Sequence, residues 1–375
     1  PAGAIGGVWE CPDLFPLTID DQELWVLLVS LNPGGLYGSG TQYFIGDFDG
    51  TTFIPKYSTD EPRWLDFGRD NYAGVSFSNL STEAKAKYAC LYAGAVWGLF
   101  WIPLRELEDA GLHGLWITVI YFLIPALCLV PVTIWRWKYV KRGGFQLQLT
   151  AIISGGALLL YSTSIVYTDV VRAILLFYLT PVWGTILGRI FLGDKISTPR
   201  IIAMILAIVG MLTIFGLGAK FPLPQNLGDW LGLCSGFLWA IAMVRIRLSE
   251  NHSTIELTAG FFQWSLILSL IAAVLFSPES LPSFHKILPI IPLMLTFMVL
   301  LILPGTYASL WGPKYLSPGV VGLLFMTEIV VGAISVAILA GEPFGIREIT
   351  GVLFIAGASL LEPLLQMRNA SIDHR

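Results

Sequence analysis

Charged residues are scarce in this chain of 375 residues, and their scarcity excludes an ordinary soluble composition. They make up 13% of the sequence, whereas soluble domains carry about 25%, and the mean hydropathy is +0.71. The few charges are also unevenly divided. Residues 1–84 hold 12 acidic and three basic side chains, a net charge of −9, and residues 85–375 hold 14 acidic and 19 basic ones, a net charge of +5. Two compositions in one chain predict two modules, with a seam near residues 79–85.

Cysteine and histidine are also rare, at four residues each. The cysteines show no CxxC or paired spacing, so neither a disulfide framework nor a zinc site is indicated, and we expect no metal and no cofactor. The GxxxxGK[ST] loop that binds ATP is absent, and no nucleic-acid partner is expected. The chain starts with Pro and lacks a basic leader followed by an apolar run, so we expect its N-terminus to be the edge of a fragment.

Long apolar runs, in contrast, are abundant after residue 87. About 20 apolar residues of helix cross a bilayer core, and ten such runs follow one another, joined by short polar links. The alternative, ten buried helices of a large soluble protein, is disfavoured because the runs lack a polar face. We therefore predict a mainly α-helical polytopic membrane protein with ten transmembrane helices, at about residues 88–104, 114–137, 148–167, 170–191, 199–217, 228–247, 255–276, 287–307, 317–338 and 347–366.

Basic residues predict how these helices are oriented, because cytoplasmic loops are enriched in Lys and Arg. If the residues before the first helix lie in the cytoplasm, that side receives fourteen basic residues and the opposite side receives five. An even number of helices then places both termini on one side. The prediction is a multi-pass protein of the plasma membrane with cytoplasmic N- and C-termini.

The apolar region contains an internal repeat. Two Gly-acid pairs, beginning at Gly193 and Gly341, follow two of the predicted helices and lie 148 residues apart. Trp97 in AVWGLFW and Trp239 in GFLWAIA lie 142 residues apart. The two offsets nearly agree, so the region divides into two halves of five helices each.

Five is an odd number, so the second half must enter the membrane inverted relative to the first. Inverted repeats of this kind build secondary transporters, whose substrate site lies near the midplane between the halves. The chain is predicted to contain four units: a β-structured fragment at residues 1–79, a first repeat at 80–225, a second repeat at 226–368 and a cytoplasmic tail at 369–375. A second copy of the chain, forming a homodimer, is an option that the sequence leaves open.

Three stretches of the apolar region carry a family resemblance: LYAGAVWGLFWIPLR, LLFYLTPVWGTILGRIFLGDKIS and VVGLLFMTEIVVGAISVAILAGEPF. Together they resemble the drug/metabolite transporter superfamily of the EamA type, over about residues 82–368. The resemblance implies two five-helix repeats and the transport of small metabolites across the lipid bilayer. The sequence departs from the family pattern at Ile329, where the family often has Pro, and this departure leaves a kink of the ninth helix open.

Glu328 is the sharpest candidate for a functional residue in the membrane. It stands in the middle of LLFMTEIVVG, where an ionised carboxylate is costly, so it could bind a proton or a cationic substrate. The alternative is a protonated packing residue. Gln263 could line a cavity or could bond two helices together. Trp97 and Trp239 could stack on a substrate, as could Trp101, although packing or interface anchoring is the stronger interpretation for these rings.

Two further pairs of charged residues lie near the ends of predicted helices. Asp169 and Arg172 stand at the outer mouth of the fourth helix and are candidates for a gate, although a surface ion pair is the simpler interpretation. Asp194 and Glu342 follow the repeated glycines, and helix capping or loop closure explains them adequately.

The residues before the seam predict β structure. ELWVLLVSL and TQYFIGDF are rich in branched and aromatic residues, as strands are. Asp49-Gly50 is a good hairpin turn. LNPGGLYGSG, which separates the two runs, is predicted to be a flexible loop.

Four motifs in this region carry a second resemblance: VWECPDLF, VSLNPGG, QYFIGDFDGTTF and WLDFGRDNYAGVSFSN. They are similar to glycoside hydrolase family 32, the invertases and levanases, which are five-bladed β-propellers that hydrolyse β-fructosides. The resemblance implies that Glu10 matches the general acid/base and that Asp70 is structural. The family's nucleophile and stabiliser segments, Asn-Asp-Pro-Asn and Arg-Asp-Pro, precede the Glu-Cys motif and do not occur in this sequence.

About 75 residues supply only one or two propeller blades, since a blade holds four strands. The sequence therefore predicts a transporter of small metabolites that works by alternating access, with protons at Glu328 as an optional driving force. It carries a catalytically incomplete fructosidase fragment joined near Asn79. The alternative is a truncated β-fructofuranosidase tethered to the membrane.

Overall fold

The chain folds into two compact units, Pro1–Ser81 and Thr82–Arg375, as seen in a computed structural model. The structure describes residues 3–4, 7–19, 22–35, 38–57, 61–66, 72–73, 81–112, 114–168, 170–215, 224–249, 253–277, 284–341 and 344–373. Asn79, the predicted join, lies outside these residues.

The first unit contains an antiparallel sheet whose four strands pair in chain order. Four strands joined in this way correspond in size to one propeller blade. From Gln42 to Gly46 alternate residues of the third strand are buried, which is the pattern of a sheet with one covered face. The strands are β1 (Val8–Ile19), β2 (Gln22–Gly35), β3 (Gly38–Phe48) and β4 (Phe53–Pro55).

The β3–β4 turn forms where Asp49-Gly50 predicted it. Asp49 Oδ1 accepts hydrogen bonds from the backbone N–H groups of Thr51, at 2.8 Å, and Thr52, at 2.7 Å, and Gly50 takes a φ of 94° that suits glycine. The prediction that LNPGGLYGSG forms a flexible loop between the strands is wrong for most of this stretch. β2 extends to Gly35 and β3 starts at Gly38, because backbone pairing continues along both strands.

The second unit is helical throughout. Its α-helices are α1 (Thr82–Trp97), α2 (Trp101–Asp109), α3 (Leu115–Trp135), α4 (Trp137–Tyr167), α5 (Val170–Phe177), α6 (Thr180–Leu187), α7 (Thr198–Phe215), α8 (Leu227–Leu248), α9 (Thr254–Phe276), α10 (Phe284–Ile287), α11 (Ile291–Phe297), α12 (Leu303–Trp311), α13 (Pro318–Phe325), α14 (Thr327–Ala340) and α15 (Ile346–Asp373). Short π-helical turns (Gly188–Leu192 and Met298–Ile302) and 3₁₀ turns (Leu288–Ile290 and Gly312–Lys314) extend some of them.

Within the described part of the chain, seven helical segments are long and apolar enough to cross a membrane: Leu115–Trp135, Trp137–Tyr167, Arg172–Leu192, Leu227–Leu248, Thr254–Phe276, Leu288–Lys314 and Pro318–Ala340. The protein is therefore a multi-pass membrane protein in its helical unit.

The three other predicted spans are also helical. α1 has 16 residues and ends at Trp97, before a turn that leads into α2. The apolar segment Thr198–Ile214 of α7 is shorter than the seven spans and than the about 20 residues that cross a bilayer core. The side chains of α15 are described only as far as Leu361. Ten spans thus remain a prediction.

The polar link WRWKYVKRGG, predicted as a connection between helices, is mostly helical. α4 begins at Trp137 and is interrupted at Gly144, whose φ of 53° breaks the helical path. Glycine adopts this left-handed conformation without steric cost. The link therefore becomes a helical segment followed by a kink.

The contacts between helices follow a regular pattern, in which α8 and α1 each pack against several other helices. α4 packs on α8, and α1 packs on α12. α5 and α6 pack on α8, whereas α13 and α14 pack on α1. Three further contacts join α3 with α9, α6 with α13, and α7 with α15.

Aromatic side chains fill the centre of the largest core cluster. Tyr121 and Phe122 of α3 meet Phe261 and Phe262 of α9, and all four are fully buried. The rings within each helix stand edge to face, with centroids 5.3 and 5.0 Å apart, which is a favourable arrangement for aromatic rings. This cluster supports one wall of the cavity described next.

Candidate functional site

A cavity lies at the centre of the helical unit, and both halves of the unit contribute to it. α1, α4, α5 and α6 supply residues from the first half, and α8, α9, α12, α13 and α14 supply residues from the second. The space between its walls is about 690 Å³ including its opening.

Aromatic rings dominate the wall, with eight of its fifteen residues. Trp97 and Trp239, both predicted as candidates for stacking, are among them. Trp239 lies 6.4 Å, between ring centroids, from both Phe261 and Phe325. The rings therefore form a continuous apolar surface rather than isolated contacts.

Glu328 also lines the cavity, and among the described residues of the wall it is the single charged side chain. It stands in the first turn of α14, where the helix dipole favours a negative charge. The Tyr178 side chain interacts with the Glu328 carboxylate. The structure thus brings together three residues that the sequence singled out, which are Glu328, Trp97 and Trp239.

Two of the predicted transmembrane helices are broken where they reach the cavity. α5 ends at Phe177 and α6 begins at Thr180, and Pro181, which has no N–H group to donate, follows the break. α13 ends at Phe325 and α14 begins at Thr327. This second break forms although Ile329 stands where the EamA pattern often has Pro.

A threonine and a glycine stabilise each break in the same manner. Thr180 Oγ1 donates to the Phe177 carbonyl at 2.5 Å, and Thr327 Oγ1 donates to the Leu324 carbonyl at 2.9 Å. Each hydroxyl therefore satisfies a carbonyl group that the break releases. Thr180 and Thr327 lie 147 residues apart, which matches the offset of the sequence repeat.

The glycines lie on the neighbouring helices. A Cβ atom on Gly94 of α1 would stand 2.1 Å from Thr327 Oγ1, and one on Gly236 of α8 would stand 2.4 Å from the Phe177 carbonyl oxygen. Gly94 and Gly236 are themselves 142 residues apart. Only glycine permits this close approach of a helix to a break.

Gln263 does not line the cavity and instead joins two helices. Its Nε2 donates to Thr133 Oγ1 of α3 at 2.7 Å, which agrees with the alternative that it is a helix–helix contact. Trp101 is likewise a packing residue in this structure, since its Nε1 donates to Ser335 Oγ of α14 at 2.9 Å.

Arg172 pairs with Asp229 at the start of α8. Arg172 Nη2 lies 2.5 Å from Asp229 Oδ2, and the Asp229 side chain is fully buried. Thr168 Oγ1 and the backbone N–H of Gln225 also donate to the same carboxylate, at 2.6 and 2.9 Å. Asp169, the predicted gate partner of Arg172, lies outside the described residues, so that pair remains a prediction.

The repeated glycines end their helices in the same conformation. Gly193 has a φ of 69° and Gly341 has a φ of 70°, which is the left-handed geometry that ends many helices. Asp194 follows with one buried carboxylate oxygen that has no hydrogen-bond partner among the described atoms. Glu342 lies outside the described residues.

In the first unit, Glu10 lies on β1, where a bulge interrupts pairing between Glu10 and Asp13. It is exposed and accepts a hydrogen bond from the Tyr72 hydroxyl. That bond, together with the negative charge of the carboxylate, raises the pKa of Tyr72 to about 12. Asp70 lies outside the described residues.

Sequence reasoning missed several residues of the cavity, notably Tyr161, Phe177, Tyr178 and Phe325. They stand in uniformly apolar runs, where periodicity does not distinguish a cavity wall from a packed core. An offset of 147, close to the offset of 148 between the repeated glycines, relates Tyr178 to Phe325 and Thr180 to Thr327, and this was the signal that could have found them. Asp229 was missed for a different reason, because its partner is 57 residues away.

The helical arrangement also occurs in a solved structure. A crystal structure described only as that of a protein aligns over 76% of this chain and 98% of its own, with a TM-score of 0.63 and 16% sequence identity. At this identity the likeness concerns the fold alone.

Family models match two segments of the chain. The model of the EamA-like transporter family matches residues 85–216, and that of the glycosyl hydrolases family 32 N-terminal domain matches residues 2–96. Both resemblances predicted from the sequence are thereby confirmed. The chain combines a membrane transporter segment similar to the EamA family with an N-terminal segment similar to family 32.

Curated relatives match the N-terminal segment. The chain is 50% identical over 93 residues to an extracellular exo-inulinase of Aspergillus niger, 50% identical over 88 residues to a levanase of Bacillus subtilis, and 42% identical over 106 residues to an invertase of Wickerhamomyces anomalus. These matches cover 22%, 22% and 26% of this chain but only 17%, 13% and 18% of the respective relatives. The chain therefore spans less than a fifth of each hydrolase.

Proposed function

We propose that this protein is a secondary transporter that moves small metabolites by alternating access between two inverted halves. The observation that carries the proposal is the central cavity, whose wall is shared by helices from both halves and contains Glu328. A site at the interface between inverted repeats is where such transporters bind their substrates.

The contacts between helices support the inverted arrangement. If α1 corresponds to α8, and α4 to α12, the contact of α4 with α8 maps onto that of α12 with α1. The same correspondence maps the packing of α5 and α6 on α8 onto the packing of α13 and α14 on α1. Contacts that map onto one another in this way are expected of a pseudo-two-fold axis in the membrane plane.

The paired helix breaks support the position of the substrate site. Both breaks are short, since Leu179 and Met326 keep right-handed helical dihedral angles. Irregular backbone is tolerated inside a membrane where it lines a cavity, and discontinuous helices form the sites of many transporters. We propose that Glu328 couples transport to protons, with Tyr121, Tyr161 and Tyr178 as the titratable neighbours that interact with it.

We also propose a plasma-membrane location with cytoplasmic termini. Homodimerisation is a further prediction, to be checked by the mass of the purified complex.

The test is an uptake and resistance screen in cells that express the full chain, the Glu328→Gln variant, or the matched Glu106→Gln variant, in which an exposed glutamate of α2 is changed. We expect wild type and Glu106→Gln to transport equally and Glu328→Gln to lose at least about 90% of transport, a loss of the size that follows when an essential charged contact is removed. Unchanged transport by Glu328→Gln would show that this residue does not couple transport. A screen in which expressed, folded protein moves no small molecule would reject the transporter itself.

A further inference from the structure

The cavity wall has an unbalanced charge. Glu328 contributes a carboxylate, and no Lys, Arg or His occurs among the described residues that line the cavity. An ionised carboxylate within the membrane is costly unless a positive charge accompanies it. Since the described wall supplies none, the counter-charge has to come from a bound proton or from a ligand.

The rest of the wall suits a positively charged ligand better than a proton alone. Trp97 and Trp239 face the cavity, and the faces of such rings attract cations through their quadrupole. Tyr161 packs against Phe177 with ring centroids 4.6 Å apart and extends the same surface. A proton on Glu328 would need none of these rings, whereas an organic cation would use both the charge and the aromatic surface.

A buried hydroxyl offers a further polar contact. Tyr178 is 4% exposed, and its hydroxyl makes no regular hydrogen bond with any described atom. It lines the same cavity and interacts with the Glu328 carboxylate. Buried hydroxyl groups in folded proteins normally make hydrogen bonds, and a ligand whose polar group lies at Glu328 would give this hydroxyl a further contact.

We propose that the cavity binds a small monovalent organic cation, with its ammonium group at Glu328 and its apolar or aromatic body against Trp97, Trp239 and Tyr161. The proposal rests on the proposed function, because it names the substrate class of the same site. Neutral and anionic molecules of the same shape are expected to bind more weakly, because the first supply no positive charge to the ionised carboxylate and the second add a like charge.

The test uses three probes of one shape, which are 2-phenylethylamine, 2-phenylethanol and phenylacetate. Binding of radiolabelled 2-phenylethylamine to the purified full chain in detergent is measured at neutral pH, with each unlabelled probe as a competitor. We expect the amine to compete at least about tenfold more strongly than the alcohol or the acid, as one charged contact implies. Equal competition by the alcohol or the acid, or no specific binding of the amine, would overturn the proposal.

Variants locate the charge that is responsible. Glu328→Gln is expected to weaken amine binding at least about tenfold, and Glu328→Asp, which keeps the charge, to retain part of it. Glu106→Gln is the matched control and should bind as wild type does. Elution as a single species in size-exclusion chromatography checks that each variant is folded. If Glu328→Gln does not fold, the three probes on the wild-type protein decide the question, and wild-type affinity in a folded Glu328→Gln would contradict the proposal.

Failure of this inference can be told apart from failure of the proposed function. Proteoliposomes that accumulate a neutral or anionic solute, while the amine does not bind, would retain the transporter and reject the cation site. Amine binding that depends on Glu328, without movement of any solute across the bilayer, would retain the cation site and reject transport.

Discussion

Asp49 shows how a single carboxylate can fix a turn. It accepts two backbone N–H bonds, from Thr52 and Thr51, and these bonds to its charged form hold its pKa below the ordinary aspartate value of 3.8. Because its pKa in the folded state is lowered, the stabilisation is present above the unfolded pKa and is lost as the pH falls through the folded pKa.

The resulting prediction concerns hydrogen exchange at the turn. We expect the amides of Thr51 and Thr52 to be protected at neutral pH and to lose protection when the pH falls below 3.8, the ordinary pKa of an aspartate. Hydrogen–deuterium exchange of the full chain across this pH range measures the effect. Asp49→Asn keeps a side-chain oxygen acceptor but cannot titrate, so protection in this control should not change over the same range; equal loss in both proteins would contradict the assignment.

Individual residues also differ in how far the sequence could predict them. Glu328, Trp97 and Trp239 were predictable, because a charge in an apolar run and a repeated motif both stand out locally. Gln263 had two interpretations that the sequence could not separate, since the choice depends on whether Thr133 of another helix lies within reach. Asp229 gave no local signal at all, because its role depends on Arg172 and on the fold that brings the two together.

At the scale of helices, the two breaks depend on close contacts with glycine. We expect Gly94→Ala and Gly236→Ala to lower the free energy of unfolding by about 1–3 kcal/mol each, the usual cost of an overpacked site, since each new Cβ would approach a break to within 2.4 Å or less. Gly156→Ala is the control, because its Cβ would lie 3.8 Å from Leu268 Cδ1, which is an ordinary contact. Thermal aggregation in detergent ranks the three variants, and equal stability of all three would refute the close approach.

The ion pair between α5 and α8 gives a second prediction at this scale. Asp229→Asn leaves Arg172 without its buried counter-charge, and breaking a buried pair of this kind costs about 3–5 kcal/mol. We expect a clear fall in the aggregation temperature of the purified protein. Asp109→Asn, at an exposed position on α2, is the matched change and should have little effect. If the Asp229→Asn protein is as stable as wild type, the ion pair between Arg172 and Asp229 does not hold these helices together.

Helix positions were largely predictable from apolar runs, since a helix is found at each predicted span. What the runs could not reveal is where a helix breaks. The breaks before Thr180 and Thr327 are fixed by hydroxyl groups that bond to released carbonyls and by glycines on neighbouring helices. These are tertiary contacts, and the hydropathy of the sequence does not predict them.

For the whole molecule, the number of spans determines where the termini lie. Ten spans place the N- and C-termini on the same side of the membrane, whereas an odd number would separate them. We expect epitope tags at both ends to be inaccessible to antibody in intact cells and accessible after permeabilisation. Tags that respond differently would contradict ten spans, and tags that are both accessible from outside would contradict the predicted orientation.

The division into two compositions was visible in the charge distribution, but the exact seam was not. The family 32 match extends to residue 96 and the EamA match begins at residue 85, so the two overlap within α1. The compact units divide earlier, between Ser81 and Thr82. Composition changes gradually along a chain, whereas a fold boundary is set by which residues pack together.

The indole rings of Trp97 and Trp239 give the protein a built-in optical reporter. The wavelength of indole emission shifts with the polarity of its surroundings. A molecule that displaces water from the cavity will therefore alter the emission spectrum of these two rings. The other eleven tryptophans of the chain contribute a background, which the difference between wild type and a Trp97→Phe, Trp239→Phe double variant removes. Occupancy can therefore be followed without labels and in real time on the purified protein.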